Sequence, residues 1–234
     1  SKKSPEDARN PEEVQKYKSN ILRVVRQLKY NPTREFSIDL CFFINGIPVS
    51  TVELKTDFTQ SIDDAVKQYK QDRKPVQHGR KEPLLTVKRG AVVHFAMSDS
   101  EIQMATELKG DATFFLPFNK GNDGSVPGIK VSKNVSVNDE YPVAYFWEEV
   151  CKWDNWLRIF HNFVYTETSD KTDKLGKPYK AKTMIFPRYH QLEAVNTMIA
   201  DVKKNKPGHQ YLCEHSAGSG KTSTIAWTAH DLTK

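Results

Sequence analysis

Two carboxylates and a lysine lie on neighbouring β-rich segments, in a spacing that could bind a metal ion and cleave a phosphodiester. Asp39 precedes the apolar residues 40–44, and Glu53 follows the β-forming residues 49–52 (VSTV). Burying an unpaired carboxylate is costly, and a divalent metal ion would offset that cost. The spacing alone is weak, because a chain with 27% charged residues contains it by chance. The alternative is a charged sheet edge, and we favour the metal site.

The residue types around this pair fit magnesium chemistry. Asp39, Glu53 and the carbonyl oxygen of Leu54 would supply the hard oxygen ligands that Mg²⁺ prefers. Lys55 lies two residues after Glu53, so both share one face of a strand, and it would orient or help deprotonate an attacking water. Gln68, on the following helix, could reach a metal-bound water or a phosphate. The alternative for Gln68 is a solvated flank.

A hairpin must bring the two carboxylates together. Asn45-Gly46 separates the two β-rich segments and is a strong hairpin signal. A regular two-residue turn would point Asp39 away from Glu53, whereas a three-residue turn with Gly46 in the left-handed conformation would put them on one face. We therefore predict a three-residue turn or a nearby β-bulge.

Hydrophobic periodicity predicts the surrounding elements. A Ser61/Asp64 capping box begins the helix that follows the hairpin. Helical spacing is present within 1–30, at 61–73, over 143–165 and from 186 onward, whereas strands are predicted at 36–55, 91–97 and 113–118. Residues 119–128 resemble a loop, and the polar stretch 166–182 is the best linker candidate. His94 and the tryptophans of 143–165 are expected to be core residues.

A second chemical motif lies near the end of the printed sequence. Residues 211–214 are typical of a short strand, 215–222 (HSAGSGKT) of a phosphate-binding loop, and 223–232 of a helix. Lys221 would reach the β- and γ-phosphates of ATP, and Thr222 would hold its magnesium ion. The phosphate-wrapping positions are Gly218, Ser219 and Gly220. No acidic second motif follows, so we expect no ATP hydrolysis by these 234 residues.

Composition favours a nucleic-acid partner. The formal net charge is +6, and residues 67–90 hold eight basic side chains against Asp72 and Glu82. Such a run is a candidate track for DNA phosphates, although a solvated surface is the commoner outcome. No apolar run is long enough to span a membrane, and three scattered cysteines suggest neither a zinc site nor disulfides. We expect a cytoplasmic protein.

The hairpin resembles a known nuclease signature. Residues 44–48 leading into 52–55 resemble the PD-(D/E)xK motif of type I restriction enzyme R subunits, the motor and cleavage subunits of ATP-dependent DNA restriction complexes. Residues 115–121 and 145–150 resemble segments that follow this motif, and 186–191 resemble the opening motif of superfamily 2 translocases. The individual motifs are weak, but their order is specific.

The resemblance implies an α/β fold in two parts. A nuclease-like mixed sheet flanked by helices would occupy 1–165, with the 39–55 hairpin at its active edge. A basic linker at 166–185 would lead to the start of a truncated RecA-like P-loop domain at 186–234.

The resemblance also implies roles for single residues. Asp39 and Glu53 would bind Mg²⁺, Lys55 would be the catalytic lysine, and Gln68 matches the family's glutamine. Many members place a tyrosine four residues beyond that glutamine, where this chain has Asp72, with Tyr69 nearby. Arg188 and Gln191 would recognise adenine. Glu12 and Glu13 are candidates for an acidic residue of the first helix.

The implied function is Mg²⁺-dependent cleavage of double-stranded DNA, coupled to ATP-driven translocation. The implied partners are methylation and specificity subunits, which would supply sequence recognition. Two alternatives remain: another nuclease–helicase fusion, from DNA repair or a single-chain restriction enzyme, or a catalytically inactive DNA-binding module.

Overall fold

A computed structural model describes residues 10–77, 79–121, 134, 141–173 and 175–233. Most of the loop predicted at 119–128 lies outside these ranges. The helices are α1 (Pro11–Lys18), α2 (Ile62–Gln71), α3 (Trp153–Arg158), α4 (Tyr189–Asn205) and α5 (Lys221–Leu232), with a 3₁₀ turn at Pro83–Leu85 and π-helical turns at Phe146–Val150 and Ile159–Phe163. The strands are β1 (Leu22–Lys29), β2 (Ser37–Ile44), β3 (Ile47–Leu54), β4 (Val76–Gln77), β5 (Arg80–Lys81), β6 (Val93–Met97), β7 (Ile102–Ala105), β8 (Leu116–Pro117), β9 (Tyr165–Thr172) and β10 (Pro178–Ile185).

A mixed six-stranded sheet forms the centre of the fold, in the order β1-β2-β3-β6-β7-β8. Strands β3 and β6 are parallel, and the other neighbours are antiparallel. This confirms the mixed sheet flanked by helices. The β2–β3 hairpin lies inside the sheet rather than at its edge, because β1 covers β2 and β6 covers β3.

The prediction of helical spacing through residues 1–30 is wrong for the second half of that range, which forms the edge strand β1. Only Pro11–Lys18 is helical, and Leu22–Lys29 pairs along its length with β2. Val24 and Val25 are β-branched, and such side chains favour the pleated surface of a strand. Pairing with β2 therefore prevailed over helical spacing.

The hairpin has a two-residue turn together with a bulge. Asn45 and Gly46 both have positive φ angles, +52° and +80°, and Ile44 pairs with Ile47. The register then shifts between Phe42 and Phe43. The prediction was a three-residue turn or a nearby bulge, and the bulge confirms it.

The two faces of the sheet bury different clusters. On one face, α2 buries Ile62, Ala65 and Tyr69 against Cys41 and Ala96. The capping box at Ser61 and Asp64 is formed as predicted. The other cluster is rich in aromatic rings and contains Phe95, Phe118, Phe146, Trp156, Phe163 and Phe186. Trp156 is a core residue as expected, whereas Trp147 and Trp153 are exposed.

Residues in the last third of the chain belong to the same aromatic cluster. The segment predicted as a linker, 166–185, contains most of the antiparallel ribbon β9–β10, and its role as a linker stays a prediction. Helices α4 and α5 add Tyr189, Leu192, Val195 and Trp227 to the aromatic cluster. Residues 211–214 form no strand, and within the described residues no strand lies beside them to complete a ladder. Among the described residues, no helix is both long and apolar enough to cross a membrane.

Candidate metal site

The bulge places Asp39 opposite Glu53. Leu40 pairs with Val52, so the next step along both strands brings the two carboxylates together. A regular register from the same turn would have placed Asp39 one residue out of step, on the other face. The bulge therefore positions the pair that the sequence spacing only suggested.

Two hydrogen bonds orient the Asp39 carboxylate. The backbone N–H of Leu54 donates to Oδ2 over 2.8 Å, and the Gln27 amide donates to Oδ1 over 2.7 Å. Gln27 is the one residue of β1 with a positive φ, at +48°. Each Asp39 oxygen therefore has one protein donor and still has free lone pairs.

Glu53 is fully buried and pairs with Arg73. Arg73 Nε lies 2.6 Å from Glu53 Oε1, and the Arg73 side chain is 10% exposed. Burial raises the pKa of Glu53 to about 8, and the nearby Asp39 adds to the rise while Arg73 opposes it. The carboxylate thus has one cation partner, one like-charged neighbour and little water.

The residues present fit a divalent cation. Glu53 Oε2 and Gln68 Oε1 are buried without a hydrogen-bond partner, and buried acceptors in that state usually indicate an absent ligand or water. Within the described residues, no group of three His, Cys, Asp or Glu side chains comes together. A metal ion would therefore depend on Asp39, Glu53, a backbone carbonyl and water, a set that suits Mg²⁺.

Leu54 and Lys55 lie where β3 ends beside this pair. The Leu54 N–H is used by Asp39, and its carbonyl as a metal ligand remains a prediction. The Lys55 N–H donates to the Met97 carbonyl over 2.9 Å, which fixes the backbone of the lysine against β6. The half-buried Lys55 side chain therefore starts from an anchored position.

Helix α2 meets β3 through a buried polar chain. The Tyr69 hydroxyl lies 2.9 Å from Thr51 Oγ1, which lies 2.7 Å from His94 Nδ1. Burial lowers the pKa of His94 to about 3, so this ring is the satisfied core histidine that the sequence predicted. Asp72 is exposed at the end of α2. Tyr69 therefore braces the strand that carries Glu53, and Asp72 faces solvent.

The two acidic residues of α1, Glu12 and Glu13, are bonded to groups other than the carboxylate pair. The N–H groups of Glu12 and Glu13 cap onto Asn10. Among the described residues, neither glutamate is hydrogen-bonded or ion-paired to Asp39. Tyr17 of α1 instead bonds to Asp154 over 2.7 Å. The position of a first-helix acidic ligand stays a prediction.

Most of the basic run at 67–90 is exposed. Glu82 is buried and accepts from Asn31, so Asp72 is the only acidic side chain of the run on the surface. Arg73 is excluded from a DNA track because Glu53 holds it inside the protein. The exposed members are Lys67, Lys74, Arg80, Lys81, Lys88 and Arg89.

The glycine-rich loop is arranged around Gln191. The Gln191 amide donates to the carbonyls of Ser219 and Gly220 over 3.2 and 3.1 Å. Lys221 Nζ donates to the His215 and Ser216 carbonyls over 2.6 and 3.0 Å. The structure thus brings Gln191 into contact with the loop that the sequence assigned to phosphate.

The other residues predicted to bind the nucleotide lie at or just before the N-terminal ends of α4 and α5. Thr222 is exposed in the first turn of α5, where Gly220 has a φ of +83° as the N-cap residue. Gly218 has a φ of +75°, within the turn before it. Arg188 precedes α4, and its backbone N–H donates to Gln191 Oε1 over 2.9 Å. Its Nε is buried without a partner, as is the Ser219 hydroxyl.

Comparison with known proteins finds a family similarity in the first part of the chain. Residues 5–113 match the family model for the type I restriction enzyme R protein N terminus. The matched segment contains both carboxylates, Lys55 and Gln68, and it ends before the glycine-rich loop.

A curated relative extends the similarity along the chain. The putative type I restriction enzyme MjaVIIIP endonuclease subunit of Methanocaldococcus jannaschii is 25% identical over 225 residues. The alignment covers 90% of this chain and 18% of that protein. The chain therefore spans less than a fifth of that relative's length.

Sequence reasoning missed the two residues that orient the carboxylates. Gln27 was hidden because β1 was interpreted as helix, and Arg73 because it was counted among surface cations. A signal for Arg73 existed: a carboxylate set into an apolar strand needs a cation or a metal, and Arg73 is the residue just beyond the helix that packs on that strand.

Proposed function

We propose that the N-terminal region cleaves DNA phosphodiester bonds with Mg²⁺, as part of the R subunit of a type I restriction endonuclease. The observation that supports it is the carboxylate pair, brought together by a bulge between two central strands and leaving Glu53 Oε2 buried without a partner. The match of residues 5–113 to the R protein N-terminus model agrees with it.

The chemistry follows from this chain's own groups. Asp39, Glu53 and the Leu54 carbonyl would hold Mg²⁺, which when bound offsets charge on the phosphate. Lys55 would orient the attacking water and help remove its proton. Gln68 would hold a water or a phosphate oxygen through its amide. The exposed basic residues of 67–90 would hold the DNA backbone without reading sequence, since phosphates carry no base identity.

We further propose that 186–234 begins the ATP site of a translocating motor. Lys221 and Thr222 would bind the phosphates and their magnesium ion, with Arg188 and Gln191 on the adenine. The contact of Gln191 with the glycine-rich loop supports this grouping. In the longer protein, methylation and specificity subunits would be the partners on DNA.

Nicking of supercoiled plasmid tests the nuclease assignment. We expect the chain to nick the plasmid with Mg²⁺ or Mn²⁺, and Asp39→Ala and Lys55→Ala to reduce the rate by at least about 100-fold, because each removes a group essential to the reaction. Lys18→Ala, which changes an exposed lysine of α1 outside the basic run, is the matched control and should keep activity. DNA binding without any nicking or metal binding would favour the inactive DNA-binding module.

A further inference from the structure

Each carboxylate of the candidate site is held by a side chain from outside its hairpin. Gln27 reaches Asp39 from β1, on one side of the hairpin. Arg73 reaches Glu53 from just beyond α2. The two donors come from separate elements, so the two carboxylates are oriented independently of one another.

Both donors leave acceptor capacity on their carboxylate. Arg73 uses Nε on Glu53 Oε1, and Oε2 keeps no partner. A guanidinium bound to both oxygens would have used a lone pair on each and left Glu53 without an unbonded oxygen. On Asp39, Gln27 and the Leu54 N–H take one lone pair on each oxygen, which fixes the plane of the group while lone pairs remain.

The donors are themselves supported. The Ser37 hydroxyl donates to Gln27 Oε1 over 3.1 Å, which turns the Gln27 amide N–H₂ towards Asp39. Arg73 is nearly enclosed, and Tyr30 lies close enough for the guanidinium to influence the pKa of its hydroxyl. Side chains that hold metal ligands in this way commonly change metal affinity 10–100-fold when they are removed.

We propose that Gln27 and Arg73 are positioning residues of the metal site, which hold Asp39 and Glu53 with their remaining lone pairs available to one shared divalent cation. This inference rests on the proposed nuclease function. It adds two residues to the site, Gln27 on β1 and Arg73 two positions after the end of α2. It also gives Arg73 a role inside the protein.

Manganese binding tests this role separately from catalysis. The chain is titrated with Mn²⁺, and free Mn²⁺ is followed by electron paramagnetic resonance. We expect Gln27→Ala and Arg73→Gln each to weaken Mn²⁺ binding by about 10–100-fold, and Asp39→Ala to remove it. Gln15→Ala and Arg23→Gln change exposed residues of the same types, and they should bind as the unsubstituted chain does.

The outcomes separate the inference from the function beneath it. Binding that needs Asp39 but is unchanged or tighter in Gln27→Ala and Arg73→Gln overturns the positioning role and leaves the proposed function standing. No Asp39-dependent binding by the unsubstituted chain overturns both. Gln27 is exposed, so its variant should fold. Arg73→Lys, which keeps the charge and moves the donor, covers the case in which Arg73→Gln does not fold, and it too should bind Mn²⁺ less tightly.

Discussion

At the scale of single residues, Glu53 has the least favourable environment for its charge. It is fully buried, its neighbour Asp39 is also acidic, and its one cation partner is Arg73. Such an arrangement is costly without a further positive charge. A divalent cation bound to Glu53 would supply that positive charge and would account for the buried carboxylate.

The metal-free protein should lose stability as pH rises through this group. The pKa of Glu53 in the folded state, about 8, lies above its ordinary value of 4.5. The folded state therefore holds the proton more tightly than the unfolded state does. This contribution to the free energy of unfolding is lost as the pH rises from 4.5 to 8. Between pH 6.5 and 8 we expect a slope of up to about 1.4 kcal/mol per pH unit. Chemical denaturation with a chelator present measures it.

Glu53→Gln is the control for this slope. An amide cannot titrate, so the stability of that variant should change much less between pH 6.5 and 8. Equal slopes in the two proteins would contradict the raised pKa. Below pH 6.5 the buried His94 acts in the opposite direction, because its lowered pKa makes the folded state resist protonation.

At the scale of elements, the bulged β2–β3 hairpin and helix α2 position the residues of the candidate site. The hairpin and α2 could be predicted, since Asn45-Gly46 and the Ser61 capping box are local signals. The bulge position and the strand character of β1 could not, because both depend on pairing with β2. The core histidine was predicted, but its partners Thr51 and Tyr69 were not, since they come from distant elements.

The Tyr69 hydroxyl should contribute modestly to stability. Tyr69→Phe removes its bond to Thr51 and should cost about 0.5–1.5 kcal/mol of unfolding free energy. Tyr141→Phe changes an exposed tyrosine and should cost little. Equal effects of the two substitutions, measured by urea denaturation, would argue against the buried polar chain.

The glycine-rich loop allows a comparison of two similar glycines. Both have positive φ, but a Cβ on Gly220 would lie 2.3 Å from Gln191 Nε2, whereas one on Gly218 would meet nothing within 4 Å. Each alanine substitution should cost about 1–2 kcal/mol for the backbone, and Gly220→Ala should cost more. Adding Gln191→Ala should remove that excess; an excess that persists would contradict the contact.

At the scale of the whole molecule, one aromatic cluster joins the sheet to the glycine-rich segment. Phe95 and Phe146 from the first part contact each other at 4.9 Å between ring centres, and Trp227 of α5 contacts Phe163 at 5.3 Å. The sequence did not predict this continuity. Long-range packing between aromatic side chains leaves no local sequence signal.

Removing Trp227 should therefore destabilise far more than removing an exposed tryptophan. Trp227 is 5% exposed and Trp147 is 47% exposed. We expect Trp227→Ala to cost about 3–5 kcal/mol and Trp147→Ala to cost less than about 1 kcal/mol, both by chemical denaturation. A small effect at Trp227 would contradict the shared core.

The most direct measurement is the anomalous scattering of manganese in a crystal of this chain. With Mn²⁺ in the crystal, we expect an anomalous peak bonded to Glu53 Oε2 and to a carboxylate oxygen of Asp39. A map with no peak between these two carboxylates, in crystals whose other Mn²⁺ sites are occupied, would contradict the assignment of this hairpin as a metal-dependent nuclease site.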